Sequence, residues 1–100
     1  MAVYTTGDWQ AKRGREQEFT DAWQEFANWS GAEYDAGGWA KLLRDKEDPT
    51  HFRSVAEWAD EQVIERWRTS EGFKQRMANM RELLDDTKIY VMDPVAELKA

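Results

Sequence analysis

The residues of this chain best equipped for chemistry are aromatic. Six tryptophans, three tyrosines and four phenylalanines stand among 100 residues. Each indole joins a large apolar area to one N–H that needs a partner when buried. In a dry pocket, indole N–H groups and the hydroxyls of Tyr4 and Tyr90 can donate to an oxygen on which negative charge develops. Trp67 is the strongest single candidate, as pocket wall and donor, because it falls on the inner face of its helix beside a helix break. Tyr90 is the second donor candidate. Trp23 and Phe26 on one helix, and Phe73 and Met77 on another, are the candidates for contact with a small aromatic ligand. Bulky residues at helical spacing usually pack, and Trp23 in particular also reads as core.

Other chemistry is excluded by composition. The chain has no cysteine, so it has no disulfide framework, thiolate nucleophile or cysteine-ligated metal. Its one histidine, His51, rules out a multi-histidine metal centre and reads as a solvated strand-end residue beside a turn. Asp85-Asp86 reads as a helix end and turn. The acidic run Asp45 to Asp48 lacks the glycine spacing of a calcium loop. No phosphate-cradling glycine motif or nucleophile elbow is present. No residue set calls for a metal. A net charge of −6 with acids spread throughout argues against nucleic acid as partner. No apolar run is long enough to span a membrane and no signal-peptide pattern opens the chain, which points to a soluble cytoplasmic protein.

These side chains need a scaffold, and 100 residues suffice for a single domain over residues 1–100. Ala2 to Gln10 alternates as a strand, with Val3, Thr5, Gly7 and Trp9 on one face. Gly14 sits in a turn, available for a positive φ or as a helix N-cap. Phe19, Ala22, Trp23, Phe26 and Ala27 then form one stripe of a helix from Glu16 to about Ser30. Gly31 and the pair Gly37-Gly38 bracket a loop holding Tyr34. Trp39–Lys46 and His51–Trp58 are strands joined through Asp48-Pro49, a pair suited to the first two positions of a type I turn. Asp60 caps a helix whose inner face holds Val63, Ile64 and Trp67. Ser70 caps the next, with a stripe of Phe73, Met77, Met80 and Leu84. The basic residues of this helix pair alternate with acids, as on a solvated face. Lys88 to Val95 is the last strand, with Ile89, Val91 and Val95 on one face and Tyr90, Met92 and Pro94 on the other.

The order β-α-β-β-α-β, with the second helix broken, predicts an α+β, ferredoxin-like fold: a four-stranded antiparallel sheet with helices on one face. Neither face of that sheet is cleanly polar, which predicts that the uncovered face packs against a second copy as an isologous homodimer.

Leu42-Leu43-Arg44-Asp45, Glu47-Asp48-Pro49, Phe52, Trp58, Ile64, Trp67, Ser70 and Phe73 resemble the antibiotic biosynthesis monooxygenase domains of the dimeric α+β barrel superfamily. The resemblance implies two ferredoxin-like subunits packed sheet to sheet as a dimeric α/β barrel, each with a pocket between sheet and helices. It implies a monooxygenase that needs no cofactor and acts on an aromatic phenol or quinol, or else a dimer of the same fold that binds a small molecule without turning it over. The haem-degrading branch of the superfamily asks for an asparagine in strand 1, a tryptophan before the helix break and a histidine ten residues later. Trp67 matches the tryptophan, but Gly7 and Met77 stand at the other two positions, so that branch is disfavoured.

Overall fold

The computed structural model describes residues 2–34 and 38–99. Its elements are β1 (Val3–Ala11), α1 (Glu16–Tyr34), β2 (Ala40–Arg44), β3 (His51–Trp58), α2 (Glu61–Thr69), α3 (Glu71–Arg81) and β4 (Leu84–Met92). The strands form one sheet in the order β2-β3-β1-β4, every neighbouring pair antiparallel. This is the ferredoxin-like α+β arrangement.

Local chemistry sets most boundaries. The backbone N–H of His51 donates to the carbonyl of Asp48 at 3.0 Å, closing the turn between β2 and β3. The Asp48 carboxylate accepts from the backbone of Thr50 at 3.0 Å, which fixes the turn from its side chain. Gly14 adopts φ 89°, which a glycine reaches without the cost of a Cβ. Asp60 caps α2 by accepting from the Val63 N–H at 3.0 Å. Ser70 serves both sides of the helix break: its hydroxyl accepts from the Phe73 N–H at 3.1 Å and donates to the Trp67 carbonyl at 2.8 Å. A cap of this kind is worth about 1 kcal/mol.

Three elements differ from expectation, the least of them β2, which is shorter at Ala40–Arg44 than the expected Trp39–Lys46. The first helix continues through Gly31 to Tyr34 instead of yielding to a loop. A glycine inside a helix costs about 1 kcal/mol relative to alanine. Here the last turn is held by the Tyr34 ring packed edge-on against Trp29 at 5.6 Å. Gly37 of the expected glycine pair lies outside the described residues. The last strand runs from Leu84 to Met92, not from Lys88 to Val95. Asp85-Asp86 is therefore strand, and Leu84 opens β4 rather than closing a helical stripe. Long β1 offers partners down to Ala11, which pairs with Leu84 across a bulge. That ladder overrides the weak strand preference of aspartate. Pro94, with no N–H to donate, lies just beyond the strand.

The strand period sorts the two faces. Val3, Thr5, Trp9 and Ala11 of β1 are buried against the helices, as are Phe52 and Trp58 of β3. Phe19 from α1 and Ile64 from α2 close this core at 0 % and 1 % exposure, each burial worth roughly 1.5–3 kcal/mol. The α3 helix is tied to α1 by Arg76, whose guanidinium meets Glu25 at 3.3 Å and lies 4.2 Å from the centre of the Trp29 ring. Among the described residues no helix covers the opposite face, where Leu43, Tyr90 and Met92 are exposed.

Candidate active site

Between α1 and the inner face of the sheet lies a cavity of about 240 Å³. Trp23, Phe26 and Ser30 of α1 form its roof, Thr5, Trp9, Ser54 and Trp58 its floor, and Trp67 of α2 its back wall. Trp39 and the polar Gln24 and Asn28 also line it. The Trp67 ring is itself held by aromatic neighbours, with centroids of Trp58 and Phe73 at 4.7 Å and Phe26 at 5.6 Å. Such contacts, tilted or edge-on, suit the ring quadrupoles.

Three indoles of this wall end on hydroxyls. Trp9 Nε1 donates to Ser54 Oγ at 2.9 Å, Trp58 Nε1 to Thr5 Oγ1 at 2.9 Å, and Trp67 Nε1 to Ser30 Oγ at 2.8 Å. The Ser30 hydroxyl in turn donates to the Phe26 carbonyl at 2.7 Å. The indole N–H of Trp67 is thus already engaged, so Trp67 presents a ring face to the cavity rather than an idle donor. Gly7 makes the floor possible: a Cβ there would stand 2.5 Å from both Ser54 Oγ and Trp9 Nε1.

Of the six residues singled out from sequence, Trp67, Trp23 and Phe26 meet at this cavity. Phe73 and Met77 do not line it. Phe73 stands behind Trp67 and Phe26, at 4.7 and 5.8 Å between centroids, and Met77 is buried in the core at 3 % exposure. Tyr90 lies on the other side of the sheet. It pairs with Thr6 across the β1–β4 ladder, and directly opposed residues share a face, so it points away from Trp67. It belongs instead to a groove of about 440 Å³ with Leu43, Val55 and Met92 on the open face. Sequence reasoning passed over Thr5, Ser30 and Ser54. The available signal was a small hydroxyl residue in phase with aromatic ones, Thr5 with Trp9 and Ser54 with Phe52 and Trp58.

Among the described residues, no ionisable side chain lines the cavity and no group of three or more His, Asp or Glu could hold a metal ion. Haem does not suit the residues present: a side chain at position 7 would strike Ser54 and Trp9, and Met77 lies outside the cavity. The titratable cluster sits on the open face. His51 Nε2 lies 2.6 Å from Asp8 Oδ1 and Nδ1 lies 3.3 Å from Asp45 Oδ2. Hydrogen bonds to these two carboxylates, Asp8 first, raise the His51 pKa above its ordinary value. The Tyr4 hydroxyl donates to Glu57 at 3.0 Å, and that bond raises its pKa. His51 is thus a bridging residue between strands and turn rather than a freely solvated one.

The sequence profile of the family described as antibiotic biosynthesis monooxygenase matches residues 2–79. The chain belongs to the antibiotic biosynthesis monooxygenase family. The crystal structure of SnoaB, a cofactor-independent oxygenase from Streptomyces nogalater, superposes with a TM-score of 0.87 at 18 % identity, covering 99 % of this chain and 98 % of that one. A conserved protein from Methanosarcina mazei Go1 superposes with a TM-score of 0.79 at 22 % identity, covering 91 % and 90 %. No curated protein matches this sequence. For this antibiotic biosynthesis monooxygenase domain, the superpositions speak to fold, while the cavity beside Trp67 supplies the chemistry to be argued. No helix among the described residues is long and apolar enough to cross a membrane.

Proposed function

We propose that this chain is a cofactor-independent monooxygenase that oxidises a small aromatic phenol or quinol in the cavity under α1, working in the cytoplasm as a homodimer. The observation that carries this reading is the wall itself: Trp23, Phe26, Trp58 and Trp67 surround a space below the roughly 300–1,000 Å³ of drug-sized sites. Such a wall suits a flat, electron-rich ring, which it can meet with ring faces and edges. An electron-rich anion can pass electrons to O₂ directly, so the protein's work is to bind, orient and stabilise charge.

No carboxylate or imidazole among the described residues lines the cavity. The substrate proton therefore leaves to water at the mouth near Gln24 and Asn28, and the substrate must be acidic enough to release it. With an anthrone as example, the methylene carbon becomes a carbonyl. One oxygen atom of O₂ enters that carbonyl and the other departs as water with both methylene hydrogens.

The lack of a lining base also favours a second reading, a dimer that binds such a molecule without turnover. Oxygen-electrode traces with anthrone separate the two. Oxygen uptake that scales with protein concentration supports the monooxygenase. Saturable binding with no uptake above the protein-free rate supports the binding dimer and overturns the enzyme.

A further inference from the structure

The floor of the cavity carries two hydroxyls in the same unusual state. Thr5 faces Ala56 across the β1–β3 ladder and Ser54 faces Gly7, so the two side chains are diagonal neighbours on the inner face. Each accepts an N–H from a different indole, Thr5 from Trp58 and Ser54 from Trp9, both at 2.9 Å. Among the described residues, neither hydroxyl proton meets an acceptor. Ser30, by contrast, both accepts from Trp67 and donates to Phe26, so it is satisfied. Thr5 is only 6 % exposed, and both residues line the cavity.

A hydroxyl fixed as acceptor by a rigid indole has its proton left to donate elsewhere. Donation by an indole also polarises the O–H, making it a better donor. The buried Thr5 hydroxyl, left without an acceptor, carries a cost that a ligand oxygen would remove, while the half-buried Ser54 lies beside it as a second donor. We propose that Thr5 and Ser54 form a two-donor seat for a carbonyl or developing phenolate oxygen, and that the cavity selects a neutral, planar ketone- or quinol-type ligand. Charged ligands are disfavoured because no opposite charge among the described lining residues repays their desolvation. This rests on the reading of the cavity as the substrate site.

The test compares three probes on the intact protein by isothermal titration calorimetry: 1-tetralone, its hydrocarbon counterpart tetralin, and anionic 1-naphthoate. The seat predicts that tetralone binds about tenfold more tightly than tetralin, as two net hydrogen bonds would supply, with naphthoate weakest. Ser54→Ala should weaken tetralone severalfold and leave tetralin unchanged. The wild-type comparison needs no variant, so a poorly folded Ser54→Ala leaves the proposal open to refutation. Equal binding of tetralone and tetralin, no binding of tetralone, or naphthoate binding as tightly as the ketone would overturn it. Ketone preference without oxygen uptake from anthrone overturns the monooxygenase and keeps the seat. Uptake without ketone preference does the reverse.

Discussion

The indole nitrogen of Trp67 lies 2.8 Å from the hydroxyl oxygen of Ser30, bridging α2 to α1 with both residues buried. Ser30 donates onward to the Phe26 carbonyl, so helix, hydroxyl and indole form a closed chain. This bond fixes the back wall of the cavity and commits the donor that sequence reasoning had assigned to substrate.

Removing Ser30 therefore strands a buried N–H. Ser30→Ala should destabilise the protein by about 1–3 kcal/mol, the cost of one buried donor left without a partner. Trp67→Phe should then cost less in the Ser30→Ala background than in the wild type, because the stranded donor goes with the indole. Urea unfolding of the two single variants and the double variant measures the coupling. Additive effects would show that the bond contributes nothing.

Two glycines make opposite predictions. Gly7→Ala drives a Cβ to 2.5 Å from Ser54 Oγ and Trp9 Nε1, so it should lower the melting temperature and displace the Trp9 indole. At Gly31 an added Cβ meets nothing within 4 Å, and the residue is helical. Gly31→Ala should stabilise by roughly 0.5–1 kcal/mol. Differential scanning calorimetry of both variants reads the two signs directly.

Much of the fold was legible because capping and turn residues act locally. Asp48-Pro49, Asp60 and Ser70 each make the bond their chemistry suggests, so β3, α2 and α3 fall where sequence places them. The α1 end and the β4 start were not legible, because both depend on distant partners. Tyr34 keeps Gly31 helical by packing on Trp29, and β1 draws Asp85-Asp86 into a strand. For the site, alternation put Thr5, Gly7 and Trp9 on one face but gave no pairing register. Register separates Tyr90 from Trp67, and it brings Ser54 over Gly7. Both facts belong to the β1 ladders with β3 and β4, which no single segment encodes.

The bridge formed by His51 predicts a pH dependence. Its folded pKa is raised, by hydrogen bonds to Asp8 and then Asp45. Its stabilisation is therefore fully present below the unfolded value of 6.5 and lost as pH rises through the folded value. The Asp45 pKa is lowered, first by the Glu47 backbone N–H and then by His51, so its contribution is lost as pH falls through its folded value. Urea midpoints at about pH 5.5 and about pH 9 should decline for the wild type and change less for His51→Gln. Equal declines in both proteins would remove His51 from the account.

The open face carries the dimer prediction. Leu43 is 53 % exposed, beside Val55, Tyr90 and Met92 in the groove of that face. Leu43→Asp places a charge that a second copy would bury without a partner, so light scattering at micromolar concentration should change from dimeric to monomeric mass. A wild-type protein that is already monomeric would contradict this reading.

If the proposed activity holds, an electron-rich aromatic substrate reacts with O₂ in the cavity walled by Trp67. The most direct measurement is mass spectrometry of the product formed from anthrone under oxygen-18 gas. A monooxygenase should place one oxygen-18 atom in each anthraquinone, formed at a rate proportional to protein. Unlabelled product, or labelled product appearing no faster than without protein, would contradict it.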